Sequence, residues 1–130
     1  NNNVLTMAAG IASLTEVYTP AEADRLNGVG EALRGRLNAV AQKHDVAMQF
    51  TGRGSMIAVH MLRGPVRAPS DAARGNMKAR DLLFFDLLRS NFWIARRGMM
   101  ALSVPLTQDD YDAYVAAVEE FVVSRRSLLV

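Results

Sequence analysis

The sequence predicts an α+β fold in which helices cover a small antiparallel sheet. Three observations carry this. Two long segments, one from Pro20 to about Lys43 and one from Gln108 with Arg125 and Arg126 at its end, place apolar residues at helical spacing behind a capping threonine. Two β-prone runs, AMQF and SMIAVHML, flank Thr51-Gly52-Arg53-Gly54 in the manner of a hairpin. Two more short apolar runs, 92–95 and 99–104, flank Arg96-Arg97-Gly98. With 130 residues, half of them hydrophobic and 22% charged, the chain is about one globular domain.

The first element is unusual. From Val4 to Val17 apolar residues fall on every side of a helix: Val4, Leu5, Met7, Ile11, Leu14, Val17 with alanines between. Such a helix is buried all round or spans a membrane, and this one is shorter than the about 20 residues a bilayer requires. It is expected to pack on something outside this sequence, as a linking segment over 1–18 that precedes a domain over 19–130.

Thr19-Pro20-Ala21-Glu22 then opens a helix, with Thr19 as cap, Pro20 in the first turn and Glu22 placed for a capping box. Its buried stripe is Leu26, Val29 or Gly30, Leu33, Leu37 and Val40, and its outer face carries Asp24, Arg25, Glu31, Arg34, Arg36 and Asn38. In the hairpin, Met56-Ile57-Ala58-Val59 is apolar on both faces, which predicts a strand covered on both sides. A Pro/Gly-rich loop over 63–76 leads to a helix from Lys78 to Ser90, then the strands at 92–95 and 99–104. Thr107-Gln108-Asp109-Asp110 opens the last helix, whose buried face is Tyr111, Tyr114, Val115, Val118, Phe121 and Val122.

The net charge is only +2, thirteen arginines and two lysines against thirteen acids, and there is no cysteine. A disulfide framework and a thiol nucleophile or metal site are thereby excluded, and the chain is expected to be cytoplasmic. His44 and His60 stand far apart with no triad or metal-ligand spacing around them, so structural roles are expected. Gly52-Arg53-Gly54 reads as a turn before an anion nest, and Asp109, Asp110 and Asp112 as first-turn acids before a metal cluster. The basic residues Arg63, Arg67, Arg74, Lys78 and Arg80 lack interleaved aromatics, which argues for a solvated loop over a polyanion site. Arg96-Arg97, between a short apolar run and Gly98, has the chemistry for bidentate capture of a carboxylate or phosphate; a surface turn or interface salt bridge fits as well.

Several stretches also resemble a known family. Asn3-Val4-Leu5-Thr6-Met7-Ala8-Ala9-Gly10 resembles the helix that follows the phosphate-contact turn of class III pyridoxal-phosphate (PLP) aminotransferases, with Val4 in place of a proline. Gln49 to Met56 is similar to the family's small-domain hairpin. Phe92-Trp93-Ile94-Ala95 takes the place of its Gly-Val-Tyr-Leu-Ala strand. Leu102-Ser103 with Thr107 to Tyr111 is similar to its closing Leu-Ser-x-x-His-Thr-x-x-Asp-Ile segment. The ordered series spans the chain, and among the branches of the family it looks most like the glutamate-1-semialdehyde 2,1-aminomutases.

The resemblance implies the C-terminal small domain of the aspartate-aminotransferase-like PLP fold, with a three- to four-stranded antiparallel sheet. It implies amino-group transfer on an amino acid or amino-aldehyde by a homodimer that holds PLP in a large domain absent here. No membrane or nucleic acid is expected as partner. Asn3 would lie beside the phosphate turn. Lys43 and Lys78 are not in the strand-end setting of a Schiff-base lysine, so the chain alone is expected to bind no cofactor and to be inactive. Many members hold the substrate carboxylate with a late-strand arginine, where this chain has Ala101; Arg96 or Arg97, standing where the family has a Pro-Ser pair, would substitute. The competing readings are a stand-alone ligand- or protein-interaction domain, and a basic nucleic-acid module built on Arg63, Arg67, Arg74, Lys78 and Arg80.

Overall fold

In the computed structural model, which describes residues 3–130, Asn3 starts the first helix; the part of the 1–18 segment that is Asn1 and Asn2 lies outside the described residues. The Asn3 carboxamide oxygen accepts from the Leu5 amide at 2.9 Å and caps α1 (Val4–Ala12), which runs on as a π-helical turn, Ser13–Val17. No residue of either is buried: Val4 and Leu5 are 77% and 79% exposed. The packing that this apolar surface calls for is not supplied from within the described residues.

Thr19 accepts from the Glu22 amide at 3.2 Å and begins α2 (Pro20–Lys43), about 36 Å long at 1.5 Å per residue. Only half of the expected capping box forms, because the Glu22 carboxylate turns outward to Arg25 at 2.6 and 2.8 Å. The predicted stripe is buried: Leu26, Gly30, Leu33, Leu37 and Val40, with Ala41.

The hairpin pairs β1 (Gln49–Arg53) with β2 (Met56–His60), Phe50 opposite Val59 and Arg53 opposite Met56. The reversal is therefore Gly54-Ser55, three residues beyond the start of the predicted Thr51–Gly54 turn, with Thr51 to Arg53 in the ladder. Helix α2 determines this position. The Gly54 amide donates to Glu31 Oε1 at 2.7 Å and the Ser55 amide to Asn27 Oδ1 at 3.0 Å. Gly30 makes the approach possible, since a Cβ there would overlap the Gly54 carbonyl.

After a one-turn helix, α3 (Pro69–Ala72), Asn76 caps α4 (Met77–Arg89), which buries Ala79, Leu83, Phe84 and Leu87. Strand β3 (Met99–Ala101) adds antiparallel to β2, with Ala58 opposite Met99 and Met56 opposite Ala101, in the order β1-β2-β3. The expected strand at 92–95 does not form; its Ala95 amide donates to the Met99 carbonyl at 2.9 Å, but the segment joins no sheet. Pairing stops at Ala101 because β2 begins at Met56; the next amide, Leu102, donates to Ser55 in the hairpin turn. Thr107 caps α5 (Gln108–Ser124) as predicted, and the Asp110 carboxylate completes a capping box with it; the buried face is Tyr111, Tyr114, Val118, Phe121 and Val122.

Helix α2 packs on β1, β2 and α5, and α5 also on α4, around one core centred on Leu37, Leu83, Val118 and Val122, all fully buried. The sheet gives this core one face, Phe50, Ile57 and Val59. Its other face, with Thr51, Met56, Ala58, His60 and Met99, is open, and Met56 is 57% exposed. The expected cover on both sides of Met56–Val59 is thus present on one side only, because α2 lies on a single face of the sheet. No helix among the described residues is long and apolar enough to cross a membrane.

Candidate functional site

The chain turns back on itself between Ala95 and Met99, at the edge of the open sheet face. The Gly98 amide donates to the Ala95 carbonyl at 2.7 Å, and the Val59 amide of β2 donates to the Gly98 carbonyl at 2.9 Å. Gly98 sits at φ 87°, where a side chain is strained, and a Cβ would lie 2.9 Å from Val59 Cγ1 and 3.0 Å from Arg80 Cδ. The turn is fixed to the sheet in a form only glycine fits well.

The two arginines on this turn differ. Arg96 donates from Nη2 to Asp81 Oδ2 of α4 at 2.8 Å, and its guanidinium carbon lies 5.5 Å from the Phe85 ring centre. The hydrogen bond raises the Arg96 pKa and lowers that of Asp81. Arg97 has no carboxylate partner among the described residues, and its Nε donates only to Met99 Sδ at 3.2 Å. It borders a cleft of about 360 Å3 walled by Met56, Trp93, Ile94, Met99 and Met100. Trp93 is 79% exposed and edge-on to Phe84 at 6.0 Å. One guanidinium beside an apolar wall suits a carboxylate carried on an apolar body. Ala101, on the same wall, has no polar side chain to add.

Other candidate residues are occupied structurally. Asn3 caps α1. His44 lies 2.7 Å from Glu119, which also receives Lys43 at 2.8 Å. His60 reaches Thr51 Oγ1 at 2.9 Å, and burial, with Arg80 nearby, pushes its pKa down. Asp110 caps α5, while Asp112 pairs with Arg36 at 2.7 Å and Gln108 at 2.8 Å. No group of acids and histidines among the described residues is arranged to hold a metal ion. In the basic loop Arg63 is paired with Asp45 at 2.8 Å and Arg74 with Asp71 at 3.0 Å. Gly52 and Arg53 belong to β1, leaving Gly54 alone of that triplet in the turn.

Asp81 and Phe85 escape the sequence reading, which takes them only as helix positions. The available signal is their spacing: four residues apart, they share one face of α4. The lysines also matter. Lys43 is in the last turn of α2, bound to Glu119, and Lys78 is exposed in the first turn of α4. Neither borders the cleft.

By fold and by sequence the chain is a relative of the class III PLP aminotransferases and corresponds to their small C-terminal part. It is 49% identical to the β-phenylalanine transaminase of Variovorax paradoxus over 129 residues, which are 99% of this chain and 30% of that protein. The crystal structure of that enzyme superposes with a TM-score of 0.95 over 99% of this chain and 30% of its own. An uncharacterized aminotransferase of Schizosaccharomyces pombe is 39% identical over 99% of this chain and 29% of its own length. The glutamate-1-semialdehyde 2,1-aminomutase of Sorangium cellulosum is 32% identical over 92% of this chain and 28% of its own. The aminomutases indicated by the sequence motifs are thus relatives, at lower identity than these transaminases. The chain spans about 30% of the length of the curated relatives it matches. No protein-family model matches it.

Proposed function

We propose that this chain works as the small domain of a PLP-dependent aminotransferase, where it walls the substrate side of the cofactor cleft. The observation that carries this reading is the 49% identity to a β-phenylalanine transaminase along 99% of the chain. Transamination is favoured over aminomutation because the transaminase relatives are the more similar. The substrate we assign is an amino acid with an aromatic or other apolar body, its carboxylate on Arg97 and its body against Trp93, Met56 and Met99. Arg96, already paired with Asp81, is the weaker of the two candidates.

In this reading the Schiff-base lysine and the phosphate contacts come from a large domain, Asn3 lies near the phosphate turn, and the working form is a homodimer. The apolar surface of Val4 to Val17, unburied here, would be covered by that large domain as the linking helix over 1–18. Alone, the chain holds no cofactor and does not transaminate.

The test compares this chain with a polypeptide that carries it behind a class III large domain. After incubation with PLP and dialysis, the longer protein should keep the cofactor's absorbance and convert an aromatic amino acid in the presence of a 2-oxo acid. This chain should keep none. Retention of cofactor by the chain alone, or a longer protein without transaminase activity, would sink the proposal.

A further inference from the structure

Of the two adjacent arginines on the turn, Arg97 has no carboxylate partner among the described residues, and the structure shows what occupies Arg96. Arg96 is held on two sides by α4, through the 2.8 Å bond to Asp81 and the stack over Phe85. Asp81 and Phe85 sit one helical turn apart, so they form a single rigid receptor for one guanidinium. The backbone of the turn is held from the opposite side by β2, through Val59 and the Gly98 carbonyl. Arg96 is thus drawn to α4 and Gly98 is bonded to the sheet, with Arg97 between them. Arg97 extends along the open face to Met99 and borders the cleft.

We infer that Asp81 is a positioning residue for carboxylate recognition: by engaging Arg96 it pins the turn, keeps Arg96 off the ligand, and leaves Arg97 as the single anion contact. The inference rests on the reading above that this cleft receives a substrate carboxylate. It adds that the site is built for one carboxylate rather than two, since a second guanidinium stands beside it and is neutralised.

The test uses this chain, with 3-phenylpropionate as probe and the arginine Nε–Hε resonances as readout. In the parent chain the Arg97 resonance should shift on titration and the Arg96 resonance should stay. Asp81→Asn should leave helix content by circular dichroism unchanged, weaken probe binding by up to about fivefold, as expected for an exposed ion pair, and make Arg96 respond to the probe. Asp81→Glu should restore the parent behaviour. An Arg96 resonance that responds as strongly as Arg97 in the parent chain, or one still silent in Asp81→Asn, overturns the inference. Arg97→Ala separates the two levels: if the probe binds as before, or never binds the parent chain, the carboxylate reading of the cleft itself fails.

Discussion

Asn38 of α2 makes both halves of a strand-like pair with Phe50 of β1. Its amide nitrogen donates to the Phe50 carbonyl at 2.9 Å and its oxygen accepts from the Phe50 amide at 2.8 Å. β1 is an edge strand, and these are backbone groups that β2 does not use. One helix side chain thereby does what a fourth strand would do at that position. Asn38→Ala should lower stability by about 2 kcal/mol, the sum of two ordinary hydrogen bonds with their partners left half-buried. Asn38→Asp should cost at least as much near neutral pH, since a carboxylate cannot donate to the Phe50 carbonyl. Urea unfolding of the three proteins checks this; an Asn38→Ala midpoint equal to the parent's would refute it.

Gly98 gives a second prediction. Gly98→Ala combines a positive φ of 87° with contacts below 3 Å to Val59, so it should destabilise by more than about 1 kcal/mol. Gly35→Ala, at an exposed helix position with nothing within 4 Å, should be neutral or stabilising. Thermal melts of the two variants should move in opposite directions, or at least differ clearly.

Seven carboxylates have pKa values held below their ordinary range, so acid should weaken the fold. Glu31 is lowered by the Gly54 amide and then Arg34, Asp110 by the Thr107 amide, Glu119 by Lys43 and then His44, and Asp81 by Arg96. Glu22, Asp71 and Asp112 shift the same way. A depressed folded-state pKa stabilises fully above the unfolded value and is lost as the pH falls through the folded one. Burial lowers His60 as well, so its contribution begins to fade below the ordinary histidine value of 6.5, also toward acid. Stability should therefore drop steadily between about pH 7 and about pH 3. Glu31→Gln should flatten part of that slope. Equal unfolding midpoints at the two ends would contradict the assignment.

The surface of α1 should make this chain self-associate. Val4, Leu5, Met7 and Ile11 are each more than half exposed, on a helix without a basic or acidic residue in its end turns. Sedimentation velocity should show a concentration-dependent rise in mass, and Leu5→Lys with Ile11→Lys should reduce it. A parent chain that stays monomeric across concentrations would remove this prediction.

Much of the architecture is legible in the residues. Helices α2 and α5 start where threonine caps stand, and their buried stripes follow from spacing alone. What periodicity could not see was contact from the side. Glu31 and Asn38 belong to the polar flank of α2 by spacing, yet β1 and the hairpin turn arrive on that flank and use both as backbone acceptors or donors. The same contact shifts the reversal from the glycine-rich run to Gly54-Ser55. The strand at 92–95 failed because apolar β-prone residues need a partner edge, and β3 already occupies that edge of β2. At the candidate site the sequence isolated Arg96-Arg97 but could not rank them, since the distinction lies in Asp81 and Phe85, which approach from another helix.

The hairpin carries one further consequence. Gly54-Ser55 is a two-residue reversal, and together with the α2 contacts it sets which side chains of β1 and β2 face inward. Slipping β2 by one residue against β1 would turn Ile57 and Val59 outward and bring Met56, Ala58 and His60 to the core side, so an added residue must be absorbed as a bulge in the turn. A library of single-residue insertions at this tip would therefore be filtered first by whether the turn can bulge while Gly54 and Ser55 keep their bonds to α2, and only then by composition.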